Sequence, residues 1–209
     1  RLLGDPSFEA TSIQGDGSRY NDWAVELRQR SAKAGRKWAI YGDEQGPPVK
    51  ADLGNLDRLR KEALWGNLMG GGAGVEWYFG YQGRFGDVQS EDWTVARRLW
   101  DQTRCAVEFF QRHLPFTRMA PANKLTTAAK DYCFAQPGRV YAIYLPRGGT
   151  TKIKLPAGKY TVRWYDPRNG GKLLTGSVAE VAGGADVAIG SPPAKPGQDW
   201  VCLIRRPQP

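Results

Sequence analysis

Two short runs constrain this chain more than anything else in it. Lys37-Trp38-Ala39-Ile40-Tyr41-Gly42-Asp43-Glu44-Gln45-Gly46 and Gly70-Gly71-Gly72-Ala73-Gly74-Val75-Glu76-Trp77-Tyr78-Phe79-Gly80-Tyr81 are each apolar and β-rich and end in acid, aromatic and glycine. One amphipathic helix is expected between them. A buried strand that delivers a carboxylate at its C-terminal end is how a (β/α) barrel presents reactive groups. Two such strands in succession predict the last part of a barrel, with its first part outside this sequence.

The flanking segments extend the pattern. Phe8–Gln14 reads as a strand, and 20–34 as a helix with Trp23, Val25, Leu27 and Ala32 on one stripe and Asn21 or Asp22 as cap. Trp38–Tyr41 and Val75–Phe79 are the next strands. Leu56–Met69 is a helix, and Thr94–His113 is a second, with Ala96, Leu99, Trp100, Thr103, Val107 and Phe110 at helical spacing. Strand and helix alternate, as in a parallel sheet or barrel. Past Pro121-Ala122-Asn123 the helical period is gone. Short strands are expected over 132–135, 140–145, 152–155, 158–165, 176–181, 185–189 and 200–205, between Gly- and Pro-rich turns. That spacing predicts an antiparallel β-sandwich. The expected fold is therefore α/β plus all-β, with 1–120 the C-terminal βα units of a (β/α)8 barrel and 121–209 the sandwich.

Charge follows the same division. Residues 1–120 hold 17 Lys+Arg against 16 Asp+Glu, whereas 121–209 hold 13 against 5, so most of the net +9 sits in the second part. Such a field favours anionic partners, although excess Lys and Arg also serve simply to solvate a sheet. No run approaches the ~18 apolar residues of a membrane span, and no signal-peptide pattern opens the chain. The first residue, Arg1, fits a processed product or a piece of a longer protein. Cys105, Cys133 and Cys202 lack metal-ligand spacing and are expected as buried thiols, and whether Cys133 and Cys202 pair stays open. The single histidine, His113, has no ligand cluster around it, so no metal is expected. Glycines 70–74 end a helix before a strand, the reverse of a phosphate loop, and no Lys-Ser or Lys-Thr follows. No cofactor and no nucleic-acid partner are expected.

The run Leu64-Trp65-Gly66-Asn67-Leu68-Met69-Gly70 through Tyr81, with Gly42-Asp43-Glu44-Gln45-Gly46, resembles bacterial glycoside-hydrolase-like proteins with an apiosidase-like (β/α)8 domain. Tyr132-Cys133, Val140-Tyr141, Trp164-Tyr165-Asp166-Pro167-Arg168 and Pro192-Pro193 before Asp199-Trp200-Val201 resemble the module called the putative collagen-binding domain of a collagenase. The resemblance implies that the three strands are the sixth, seventh and eighth of a barrel. It also implies that Glu44 stands at the nucleophile position on strand seven, and that the acid/base lies on strand four, upstream of this chain.

Glycoside hydrolysis generally needs two carboxyl groups. Glu44 is the expected nucleophile and Asp43 the alternative, because strand alternation sends neighbours to opposite sides. Gln14, Glu76, Trp77, Tyr78 and Tyr81 are the expected substrate contacts: rings to stack on sugar faces, carboxylate and amide groups to meet hydroxyls. The expected function is the C-terminal part of a secreted or periplasmic glycoside hydrolase acting by a two-carboxylate, retaining mechanism on a polysaccharide or oligosaccharide, acidic ones included. The missing half of the barrel would be supplied by a second chain or segment. The alternative readings are a non-catalytic carbohydrate- or matrix-binding protein with a vestigial barrel, and a structural protein whose barrel remnant only mediates assembly.

Overall fold

The computed structural model describes residues 2–46, 54–79 and 93–207, and the chain divides into two units, 1–103 and 104–209. In the first unit β1 (Ala10–Ile13), β2 (Ala39–Gln45) and β3 (Gly74–Trp77) form a parallel sheet in that order. Strand β2 runs four residues further at its C-terminal end than its apolar run predicts, because Gly42 to Gln45 keep the pairing with β3 going.

Helix α1 (Tyr20–Lys33) follows a 3-10 turn, Gly17–Arg19. The expected caps, Asn21 and Asp22, lie inside the helix. Asp16 caps the preceding turn instead, accepting the Ser18 N–H at 3.0 Å, while Asn21 is buried and donates to the Gly66 carbonyl at 2.9 Å. The next helical segment is not uniform. Short helix α2 (Gly54–Arg58) widens into a π-helical stretch, Leu59–Leu64, before tightening into α3 (Trp65–Met69). Leu59, Arg60, Ala63 and Leu64, two i,i+4 pairs, form the buried face of this stretch.

Ile13, Tyr20, Ala24, Trp38, Ile40 and Ala63 form the core under one face of this sheet. A methyl at Gly42 would lie 2.8 Å from the Tyr20 ring, so this strand position must be bare for the helix to close on it. The Tyr20 hydroxyl then donates to the Ile13 carbonyl at 2.8 Å, with the Asp43 carbonyl at 3.3 Å, and accepts from the buried Gln45 side-chain amide. One hydroxyl thus ties the C-terminal ends of β1 and β2. Tyr20→Phe is expected to cost ~1–3 kcal/mol, because it strands buried polar partners; urea unfolding measures it, and a loss below a few tenths would refute the tie. Asn67 ties the opposite ends of β2 and β3, donating to the Ile40 carbonyl at 3.2 Å and accepting the Gly74 N–H at 3.0 Å. The other sheet face is open: Ala10, Ser12 and Tyr41 are exposed, Tyr41 at 44%.

A 3-10 turn, Trp93–Ala96, leads into α4 (Arg97–His113). Ala96 and Leu99 pack with Leu56 and Phe79 in the first unit. Within the second unit, the same helix buries Cys105, Ala106, Phe109 and Phe110. Val107, expected in the apolar stripe, is 43% exposed, since the buried face runs through 105, 106, 109 and 110 instead.

The second unit is antiparallel. Strands β4 (Ala120–Pro121), β5 (Tyr132–Gln136), β6 (Val140–Leu145), β8 (Gly158–Tyr165), β9 (Glu180–Gly183) and β11 (Trp200–Arg205) make a six-stranded sheet, ordered β4-β5-β6-β11-β8-β9. Strands β7 (Lys152–Lys154) and β10 (Asp186–Ala188) form a two-stranded ribbon. Core residues Ile143, Trp164, Cys202 and Ile204 on one sheet face pack with Ile153 of the ribbon. On the other face, Phe109 and Phe110 of α4 meet Tyr165 and Phe134, and the Tyr165 hydroxyl donates to the Cys105 carbonyl at 2.8 Å. Cover on both faces explains why β6 and β11 read as unbroken apolar runs rather than alternating ones. The strand expected over 176–181 is displaced to Glu180–Gly183. Gly176 is wedged against the Ser191 carbonyl and the Trp164 indole, where an added methyl would come within 2.4 Å of both.

All three cysteines are free and buried. Cys133 and Cys202 both stand in register with Ile143, on the strands flanking β6. Two strand spacings put their Cα atoms ~9.5 Å apart, beyond disulfide reach. Burial pushes the Cys133 thiol up to about 12.

Asp131 is a buried liability. Among the described residues its Oδ2 has no hydrogen-bond partner, and burial raises its carboxyl to about 6, against the opposing pull of Thr151 and Arg147. The folded value lies above the unfolded one, so the fold binds a proton that the unfolded chain releases. Stability should therefore fall as pH rises from about 4 to about 6 and level off above. Asp131→Asn should remove that fall and gain ~1–2 kcal/mol at pH 7. Urea melts of both proteins at pH 4.5 and 7 measure it, and parallel pH dependence would refute it.

Candidate active site

The open face of the parallel sheet gathers most of the carboxylates singled out above. Ser12, Tyr41 and Gly74 are in register across it, and Ile13, Gly42 and Val75 occupy the next row, toward the helices. Beyond that row the register slips: Gln45, not Glu44, pairs with Trp77. Two residues of β2, Asp43 and Glu44, thus stand against one of β3, Glu76. This is a β-bulge, and Glu44 takes up the extra residue with φ +48°.

The bulge overturns the expectation that strand alternation separates the two carboxylates. The Ser12 hydroxyl donates to Asp43, and the Gln14 amide donates to Glu44. Ser12 stands on the open face of β1 and Gln14 directly follows the strand, so both acids are held by donors from the end of β1. The Ser12 hydroxyl and, after it, a hydrogen bond with Glu76 keep the Asp43 carboxyl below the usual carboxylate range. Glu44 is exposed, and among the described residues its Oε1 has no partner.

The aromatic candidates part company. Trp77 packs against the apolar clusters on the helix side and donates its indole N–H to the Thr103 hydroxyl at 3.1 Å, so the structure does not bring it to the carboxylates. Tyr78 is half-buried, its backbone N–H on the Gln45 carbonyl at 3.0 Å. Tyr81 lies outside the described residues. Tyr41, on the carboxylate face, was not among the expected contacts, although its place two residues before Asp43 on one strand was a usable signal. Ser12 and Tyr20 were missed as well; Ser12 would have followed from its parity with Gln14, whereas nothing local marks Tyr20. Among the described residues no group of three His, Cys, Asp or Glu side chains is placed to hold a metal ion. His113 is pushed below its ordinary value by burial first and then by Arg205 and Arg112. No helix among the described residues is long and apolar enough to cross a membrane.

The family model described as "Putative collagen-binding domain of a collagenase" matches residues 121–205. Among solved structures, a glycoside hydrolase family 5 protein from Bacteroides vulgatus superposes with a TM-score of 0.68 at 14% identity, over 97% of this chain and 51% of that one. A second structure, described as a glycoside hydrolase, gives 0.64 at 13% identity, over 99% and 50%. At such identities the likeness is one of fold: a mixed α/β chain with several sheets, similar to glycoside hydrolase chains. The chain spans about half the length of these structures. No curated protein matches the sequence.

Proposed function

We propose that this chain is the C-terminal part of a glycoside hydrolase of the apiosidase-like kind, with residues 1–120 closing a (β/α)8 barrel and 121–209 forming a β-sandwich. The observation that carries the reading is the bulge, which holds two carboxylates at the C-terminal edge of three parallel strands. That edge is where barrel enzymes keep their chemistry. The open sheet face supports a missing half, because parallel sheets are ordinarily covered on both sides; a second chain or segment would supply it, together with the acid/base. Glu44 acts as nucleophile through its unpartnered Oε1, held in place by Gln14. Asp43 is fixed by Ser12 and Glu76 and orients its neighbour. Polysaccharide is the substrate class, and the setting is secreted or periplasmic.

The test is a covalent one. A retaining enzyme attacks the anomeric carbon with its carboxylate and releases the leaving group, forming a glycosyl ester. A panel of activated 2-fluoro glycosides, given to the complete protein, should leave one sugar on the peptide carrying Glu44, read by peptide mass spectrometry. An ester on Asp43, or steady turnover with inversion and no ester, would overturn the assignment. The family match favours a second reading, a matrix- or carbohydrate-binding protein with an inert barrel. Binding by the complete protein without turnover of any glycoside would establish it.

A further inference from the structure

The second unit carries a groove that the carboxylate face does not use. It encloses about 1190 Å³. Its floor is the α4 side of the six-stranded sheet, near the point where the Arg205 guanidinium donates to the carbonyl of His113, the last residue of α4. Gln136, Val140, Arg205 and Thr161 form an in-register row there across β5, β6, β11 and β8. Three strand spacings make the row ~14 Å long.

Arg118, Arg139, Lys159 and Arg206 also line it, beside Pro115, Gly138 and Pro207, so five cations meet in one groove, and no carboxylate is among its lining residues. None of the five has an ion-pair partner among the described residues. The nearest acid along the row is Glu180, which pairs with Thr161 on β9 but does not line the groove. Like charges gathered without counter-charge repel one another, and an anionic ligand relieves that repulsion. The lining contains no aromatic ring. Neither a neutral sugar face nor a nucleobase therefore finds a stacking platform, whereas guanidinium forks suit carboxylate and sulfate groups.

We propose that this groove binds the carboxylate or sulfate groups of an acidic polysaccharide, a second hold on the class of substrate inferred above, and the choice of polysaccharide rests on that reading. The experiment is a titration of the whole chain with polygalacturonate, dextran sulfate, neutral dextran and an oligothymidylate, at 0.1 M and 1 M salt. At least one acidic polysaccharide should bind at 0.1 M and be largely released at 1 M, as the Debye length falls from ~10 Å to ~3 Å. The combined variant Arg118→Gln, Arg139→Gln, Lys159→Gln should weaken that binding at least ~tenfold, as expected for several surface pairs of modest strength lost together. The charge-keeping variant Arg118→Lys, Arg139→Lys should lose clearly less than the combined variant, since the charge stays and only the fork geometry goes, which separates lost charge from a damaged fold. Which acidic polymer binds tells carboxylate from sulfate. Equal binding of neutral dextran, tighter binding of oligothymidylate, unchanged binding by the combined variant, or no binding to any polymer would each overturn the proposal. Turnover is not read, so failure of the hydrolase assignment would leave these outcomes as they are.

Discussion

In the complete protein, Glu44→Gln is expected to lower glycoside turnover by at least ~three orders of magnitude, the scale seen when a nucleophile is removed. Thermal stability should hardly move, because the side chain is exposed and its one hydrogen bond, from Gln14, survives with the amide oxygen as acceptor. Asp43→Asn is expected to cost far less, ~tenfold, since it disturbs the Ser12 and Glu76 contacts that orient the site rather than the attacking atom. The reverse ranking would make Asp43 the nucleophile, and full activity in both would remove this strand from the chemistry. A third variant separates structure from function. Glu44 sits at φ +48°, a conformation that costs a non-glycine residue ~1 kcal/mol and costs glycine nothing. Glu44→Gly should therefore melt higher than the parent while being inactive. Strain held in place by its surroundings at a carboxylate is what a site kept for chemistry would show.

That strain also marks where local reading of the sequence stops. Strands β6, β8 and β11 fall where turn chemistry and apolar runs put them, because glycine and proline clusters bound them on both sides. The carboxylates too are visible in the sequence, at the ends of β-rich runs. The bulge is not, since it exists only through the mismatch of β2 against β3: Gly42 pairs with Val75 but Gln45 with Trp77. Alternation along one strand cannot report a slip between two. Tyr20 and Asn67 are hidden for a similar reason. Each looks like an ordinary helix residue until the strand ends that it binds are brought next to it. The basic groove is half legible. The charge excess of 121–209 shows in the composition, but the row from Gln136 to Thr161 depends on register across four strands, and its lack of counter-charge on where every acid comes to rest.

Trp164→Ala is expected to destabilise the β-module by ~3–5 kcal/mol, the usual cost of emptying a buried indole site. Trp164 is fully buried and meets Trp200 edge-on, with ring centroids 6.4 Å apart. Its backbone exchanges two 2.8 Å hydrogen bonds with Leu174, so the surrounding chain is pinned and cannot readily collapse into the cavity. Trp200 would lose its edge partner while Arg168, 5.0 Å from its ring and bonded to Asp166 and Gln198, stays fixed on the other contact. Trp164→Phe decides between packing and hydrogen bonding. The indole Nε1 is buried and has no hydrogen-bond partner among the described residues, so replacing it removes a penalty as well as some volume, and the net loss should be only ~1 kcal/mol. Paired urea melts of the two variants give the difference directly. A phenylalanine variant as unstable as the alanine one would mean that the indole N–H is bonded after all, and that the space beside Gly176 holds an acceptor for it.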